Sequence, residues 1–262
     1  MKSTERFSGL ADIYAASRPS YPIEAIDFII KSTGLNSNSF MVDVGCGTGI
    51  STRLFADRGI KILGIEPNED MLLSAQRASK SKSDSATGDT ITNDSDNPRY
   101  VHGTAEDTGL PEEHVDAVLS AQAFHWFNPD TALAEFHRIL KTGGHVVLMW
   151  NERHEIDEFT KGYGDLFRRL PETAKVEMKR GIAGDPLLSS KLFHDATRTN
   201  FPFFQRVDLN GLIGRAFSAS YAPKDGAPAD ELRAGLTALF ERYQRNGYAD
   251  FQYETSVFIA RK

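Results

Sequence analysis

The sequence predicts an α/β protein, a doubly wound and mostly parallel sheet with helices on both faces. Three observations predict it. From residue 22 to residue 150, short apolar runs alternate with stretches whose apolar residues recur at helical spacing. The first run leads into a glycine-rich turn, Gly45-Cys46-Gly47-Thr48-Gly49. The second run ends on an acidic residue, Glu66, about 20 residues after the first glycine. Strands that alternate with helices imply right-handed crossovers, and hence parallel pairing.

The elements follow in order. After Pro22, the spacing of Ile23, Ile26 and Ile30 predicts a helix over about 22–33. Phe40–Val44 reads as a buried strand with a turn behind it, and Leu54 and Phe55 continue a helix that follows Gly49. Ile60–Ile65 is the second strand, and Met71, Leu72, Ala75 and Ala78 mark the next helix. Further strands are expected at Tyr100–His102, Val115–Ser120 and His145–Trp150. Before the last of these, Asn128 suits a helix N-cap and Pro129 the first helical position. Leu133, Phe136, Ile139 and Leu140 supply that helix's buried stripe, and Gly143-Gly144 allow a left-handed stop. The polar segment 80–97 has too few apolar groups to offset ordering entropy and is expected to be a mobile surface insertion.

After Trp150 the pattern changes. Residues 151–202 read as helical and loop-rich, with Phe159, Tyr163, Leu166 and Phe167 at helical spacings. Strands at Phe203–Leu209 and Gln252–Ala260 flank a helix around 229–245. The chain therefore divides into a core over 1–150, a helical cap over 151–202, and a last segment, 203–262, that completes the sheet.

Composition narrows the function classes. The chain has 262 residues, 40% of them hydrophobic and 25% charged, which sits near globular averages and excludes collagen-like, coiled-coil and wholly disordered chains. A net charge of −6 without a dense basic run disfavours binding to a phosphate backbone, so no nucleic-acid partner is expected. The single cysteine, Cys46, cannot form an internal disulfide, which fits a reducing compartment. The N-terminus leads into no apolar signal region and no apolar stretch is long enough for a bilayer, so the reading is a soluble, cytoplasmic protein without a membrane partner. Histidines at metal-ligand spacing and a Gly-x-Ser-x-Gly nucleophile turn are both missing, so neither a metal site nor serine-hydrolase chemistry is expected.

Glycines behind a strand let the backbone approach a ligand, and the following helix offers free amides and the positive end of its dipole. A dinucleotide fingerprint wants its third glycine three residues after the second, but Ile50 stands there. No Gly-Lys-Ser/Thr follows, so the turn is not a Walker A loop either. Glu66, at the tip of the neighbouring strand, is placed to accept hydrogen bonds from two ribose hydroxyls.

Asp43-x-Gly45-x-Gly47-x-Gly49 with Glu66 resembles the class I S-adenosylmethionine-dependent methyltransferases. The likeness extends to Gly103-Thr104-Ala105-Glu106-Asp107, to Ala121 through Phe127, and to Arg138-Ile139-Leu140-Lys141-x-Gly143-Gly144. With the opening Phe7, Ala11, Tyr14 and Arg18-Pro19, it is similar to the small-molecule, trans-aconitate methyltransferase-like branch. The resemblance covers about residues 7–150 and implies a Rossmann-like sheet. In the C-terminal third its best echo is Tyr253-Glu254-Thr255.

The resemblance also implies roles. Gly45, Gly47 and Gly49 would cradle the methionyl and ribose part of S-adenosylmethionine. Asp43 would support the loop or a water, and Glu66 would hold the ribose. Pro67 and Met71 would flank the adenine, with Thr104, Ala105 and Glu106 on its other face and edge. The carbonyl of Ala121 would meet the amino group, while Tyr14 and Arg18 would fold over the cofactor. Phe124 and Trp126 are candidates for the acceptor site, and Phe127 reads as packing. His125, at a strand-end loop, is a candidate general base. The implied reaction is methyl transfer to a small-molecule acceptor, releasing S-adenosylhomocysteine. Rival readings are a catalytically silent methyltransferase-like binding subunit and, against the glycine spacing, a nicotinamide oxidoreductase.

Overall fold

The computed structural model describes residues 18–83, 98–170, 184–219 and 221–262. Tyr14, with the rest of the opening motif before Arg18, lies outside the described residues, as does most of the expected insertion. Helix α1 (Ile23–Thr33) leads into β1 (Phe40–Val44), α2 (Ile50–Ala56), β2 (Lys61–Ile65), α3 (Glu69–Ser83) and β3 (Arg99–Val101). Strand β4 (Val115–Ala121), a 3-10 turn at Phe124–Trp126, α4 (Pro129–Ile139) and β5 (Leu140–Arg153) follow. Then come α5 (Glu158–Arg168), α6 (Asp185–Leu188), β6 (His194–Val207), α7 (Leu209–Phe217), α8 (Gly226–Tyr243) and β7 (Ala249–Arg261).

The sheet has seven strands in the order β3-β2-β1-β4-β5-β7-β6. The first five pair in parallel, and β7 runs antiparallel to both β5 and β6. Strand order reverses between β1 and β4, so a crevice opens at their carboxyl ends. Alternation along the strands feeds two cores. Val42, Val44, Val146, Leu148 and Trp150 pack with Phe136 and Ile139 of α4 on one face. Met41, Val147 and Met149 pack with Ile26 and Ile29 of α1 and Phe55 of α2 on the other. A third core joins α5, α7 and α8 to Phe251 and Tyr253, near the start of β7.

Three boundaries differ from expectation. Helix α4 is capped as predicted, with the Asn128 side chain accepting from the Thr131 amide, but it ends at Ile139 rather than at the glycine pair. Leu140 is already extended and fully buried opposite Val115, so strand pairing takes the chain over. Gly143 takes its left-handed turn (φ +81°) inside β5. Strand β6 begins at His194, within the segment expected to be helical. It is an edge strand that pairs only with β7, which is why its pattern is polar and why it tolerates Pro202. The late helix spans Gly226–Tyr243, starting behind Asp225 with Pro228 in its first turn.

Candidate active site

The glycine turn is folded back over the end of β2. The amides of Gly45 and Cys46 both donate to the Ile65 carbonyl, at 2.8 and 3.1 Å, and the Gly49 amide closes the turn on the Cys46 carbonyl. Gly45, Gly47 and Gly49 all have positive φ, the region that favours glycine. Gly49 is the N-cap of α2, and a Cβ there would meet the Tyr100 hydroxyl at 2.5 Å. Its glycine is thus required by packing toward β3.

A cavity of about 210 Å³ opens beside this turn, at the carboxyl ends of the parallel strands. Of the predicted residues, Gly45, Gly47, Glu66, Pro67, Met71, Thr104, Ala105, Glu106, Ala121 and Trp126 line it. Glu66 is almost fully buried, and its two carboxylate oxygens accept from the backbone amides of Gly47 (2.8 Å) and Asn68 (3.0 Å). It therefore ties the glycine turn to the start of α3, and lone pairs on both oxygens remain for further donors. Burial pushes its pKa up, opposed by those two amides.

Other predicted residues lie elsewhere. Asp43 sits beneath the turn and accepts from the hydroxyls of Ser51 (2.6 Å) and Thr52 (2.7 Å), so it braces the first turn of α2 without lining the cavity. Arg18 donates to the Ser218 carbonyl behind α7 at 3.2 Å and does not line the cavity. That carbonyl lies at the negative end of the helix, which attracts a guanidinium. Phe124 is buried in the core against Phe127 and Phe136 and does not line it either. Phe127, read from the sequence as packing, is on the cavity wall. His125 is also off the wall, and its Nδ1 accepts from the Trp150 indole N–H at 3.4 Å.

Sequence reasoning gave no site role to Tyr21, Thr48, Ser51, Asn68, Gln122 and Phe127, which also line the cavity. Thr48 and Ser51 were within reach, since they stand in or just behind the glycine turn. Gln122 had no local signal. It adopts φ +58°, unusual for a side chain larger than glycine, and its amide and side chain are held by the carbonyls of Met149 and Asn151.

The wall suits a ligand with an apolar ring and polar edges. Pro67, Met71, Ala105, Trp126 and Phe127 offer apolar faces. The Thr48 hydroxyl is buried on the wall with no hydrogen-bond partner among the described residues. A Cβ added at Gly47 would meet nothing within 4 Å. The cradle is thus open where a ligand would approach backbone.

Comparison with known proteins gives this site a family context. Residues 42–148 match the model of a family described as a methyltransferase domain. An uncharacterised methyltransferase of Mycobacterium tuberculosis is 34% identical over 163 residues, covering 62% of this chain and 59% of the relative. A Saccharomyces cerevisiae protein, provisionally named an S-adenosylmethionine-dependent methyltransferase, is 26% identical over 217 residues, with 81% and 66% covered. The chain thus spans about three fifths of the length of its Mycobacterium relative. A solved structure from Anaeromyxobacter dehalogenans, provisionally a type II methyltransferase, superposes with a TM-score of 0.61 at 20% identity, over 93% of this chain and 97% of that one. That likeness is one of fold, and it reaches β6, β7 and the late helices, beyond the matched residues 42–148. Among the described residues no helix is long and apolar enough to cross a membrane.

One consequence of the Asp43 brace can be measured directly. Burial raises the Asp43 pKa from 3.8 to about 6 despite its two hydroxyl donors. A carboxyl with a raised folded-state pKa contributes stability that is present below its unfolded pKa and lost as pH rises through the folded one. Between pH 4 and 6, Asp43 should therefore lower stability by roughly 3 kcal/mol as it ionises. Urea denaturation of wild type and Asp43→Asn across that window checks this. The difference between the two curves should change with pH, and parallel curves would refute it.

Proposed function

We propose that this protein transfers the methyl group of S-adenosylmethionine to a small-molecule acceptor by in-line displacement, releasing S-adenosylhomocysteine. Within the class I enzymes, we place it in the small-molecule branch. The observation that carries the reading is the cavity walled by Gly47, Glu66 and Trp126, set within the methyltransferase domain at the switch point of the sheet. The name of the yeast relative supports the same donor.

When bound, S-adenosylmethionine supplies a methyl group on a positively charged sulfur. The chain's own task is then to hold, orient and dry the site. Glu66 accepts hydrogen bonds from a ribose diol while keeping Gly47 and Asn68 in place. Thr48 offers its hydroxyl to a polar edge, and Pro67, Met71 and Ala105 sandwich an aromatic base. Trp126 and Phe127 exclude water on the acceptor side. Helices α5, α7 and α8, with the starts of β7 and the end of β6, form the cap that selects the acceptor. Approximation of the acceptor carries most of the rate in this scheme. The Trp150 indole N–H donates to His125 Nδ1, so that nitrogen is engaged, and the ring lies off the cavity wall. We therefore give His125 a packing role beside Trp126, at 4.7 Å between rings.

Isothermal titration with S-adenosylmethionine and S-adenosylhomocysteine tests the proposal. Saturable binding of both at one site per chain is expected. If neither binds, the methyl-transfer reading fails, and a silent, partner-binding role replaces it.

A further inference from the structure

The face of the sheet that packs on α1 ends in a polar pair. Val147 and Met149 of β5 and Val257 and Ile259 of β7 form buried apolar rows on that face. One step beyond each row stand Asn151 and Thr255, directly opposite each other in the β5–β7 ladder. Asn151 is 3% exposed and Thr255 is fully buried, and neither lines the cavity. Apolar side chains would continue the rows at lower desolvation cost, so two buried polar ones need partners of their own.

Those partners fix the direction of the Asn151 amide. Its Nδ2 donates to the Ser20 carbonyl at 2.9 Å, and its Oδ1 accepts from the Thr255 hydroxyl at 2.7 Å. A backbone carbonyl can only accept, so the amide nitrogen must face Ser20 and the amide oxygen Thr255. The Thr255 hydroxyl therefore holds the amide in the one orientation that docks Ser20. The backbone carbonyl of Asn151 adds a third contact, accepting from the Gln122 side chain at 3.1 Å. One residue of β5 thus ties down both the segment ahead of α1 and the loop behind β4.

Both tied segments carry cavity wall. Tyr21, next to Ser20, and Gln122 line the cavity, and neither belongs to a helix or strand. A strand residue is placed by its ladder, whereas a wall residue in a loop depends on individual bonds. Gln122 shows this dependence in its φ of +58°, kept by the bonds of its amide to Met149 and its side chain to Asn151. Tyr21 shares an apolar core with Ile26 and Met149, and the Ser20 bond anchors the chain just before it.

We propose that Asn151, oriented by Thr255, is a positioning residue for the cofactor cavity, so that ligand affinity depends on this pair although neither side chain lines the cavity. The inference rests on the methyl-transfer reading and deepens it. It gives a task to Thr255, in the last strand, and to Ser20, in the segment that leads into α1. Without the pair the apolar rows still pack, but the wall at Tyr21 is no longer held in place. A ligand must then order that wall as it binds, and its affinity falls.

The test uses near-isosteric variants of the full chain, titrated calorimetrically with S-adenosylhomocysteine and melted in its absence. Thr255→Val keeps the shape and removes the hydroxyl, and affinity should fall by about fivefold or more. Thr255→Ser keeps the hydroxyl and should stay within about twofold of wild type. Asn151→Asp turns an acceptor toward the Ser20 carbonyl and should weaken binding by at least about tenfold. If that variant fails to fold, the Thr255 pair carries the test alone. Hydrogen exchange on the unliganded protein gives a readout that needs no ligand. A peptide spanning residues 18–26 should exchange faster in Thr255→Val than in Thr255→Ser, with α4 peptides unchanged. A merely structural role predicts a lower melting temperature in Thr255→Val with unchanged affinity and unchanged exchange at 18–26, and that result would overturn the inference. Equal losses of affinity in the Val and Ser variants would overturn it too. If wild type itself binds no S-adenosylhomocysteine, the methyl-transfer reading fails, and the exchange result still decides whether the pair positions the wall at Tyr21.

Discussion

Gly45→Ala is expected to abolish S-adenosylmethionine binding and to lower stability by about 2–5 kcal/mol. Gly45 stands at φ +73°, and a Cβ there would lie 2.6 Å from that of Ala123 and 2.9 Å from the Phe127 ring. The left-handed conformation alone costs an L-residue about 1–2 kcal/mol. Forcing a methyl into filled space adds about 1–3 kcal/mol. The turn has no cheap escape, because the Gly45 amide is held at 2.8 Å by the Ile65 carbonyl. Any relief must push Phe127 or Ala123 into the cavity they line. Gly59 is the matched control, with φ +78° and nothing within 4 Å of an added Cβ. Gly59→Ala should cost only about 1 kcal/mol and leave ligand affinity unchanged. Urea denaturation and calorimetry on both variants separate the terms, and equal losses in the two would refute the steric argument.

Glu66→Ala is the second large expected effect. Affinity for S-adenosylhomocysteine should fall by about 1.5–3 kcal/mol from the lost charge-assisted bonds to the ligand. Stability should fall as well, because the amides of Gly47 and Asn68 each lose their acceptor, at about 1–3 kcal/mol for a buried unsatisfied group. Glu66→Gln tells the two roles apart. Its single carbonyl oxygen can keep one amide partner, so stability should drop less than in the alanine variant. Its NH₂ group would face a backbone donor, so ligand affinity should still fall. Calorimetry and thermal melting read the two quantities separately, and unchanged affinity in Glu66→Ala would remove the ribose role.

The same two residues show how far the sequence could be read. Gly45 and Glu66 were legible because each serves a local need, one a left-handed turn behind a strand and the other a strand tip at fixed spacing. The parallel core was legible for a similar reason, since Val42, Val44 and Phe136 follow the periods of their own strand and helix. Asn128 announced its helix through its own side chain. Phe127 and Gln122 were not legible, because their directions depend on a 3-10 turn and a φ of +58° that no neighbouring residue requires. Phe124 and Phe127 have the same chemistry three residues apart, yet one fills the core and the other faces the cavity.

The C-terminal third was the hardest to read. The polar pattern of β6 looks like loop until β7 lies beside it, because an edge strand buries little and its hydrogen bonds come from a partner far along the chain. Arg168 and Arg215 are equally charged in the sequence. The fold leaves the first on the surface with two carboxylates and buries the second among tyrosines.

By itself, then, the sequence determined the α/β class, the glycine turn and the acidic residue beside it, because periodicity and backbone conformation are set by residues close along the chain. Only the tertiary structure decided which aromatics wall the cavity, that His125 Nδ1 is engaged by Trp150, and that Arg215 is buried against the Tyr253 hydroxyl. Those outcomes turn on burial and on partners 25 and 38 residues away along the chain, which side-chain identity does not encode locally.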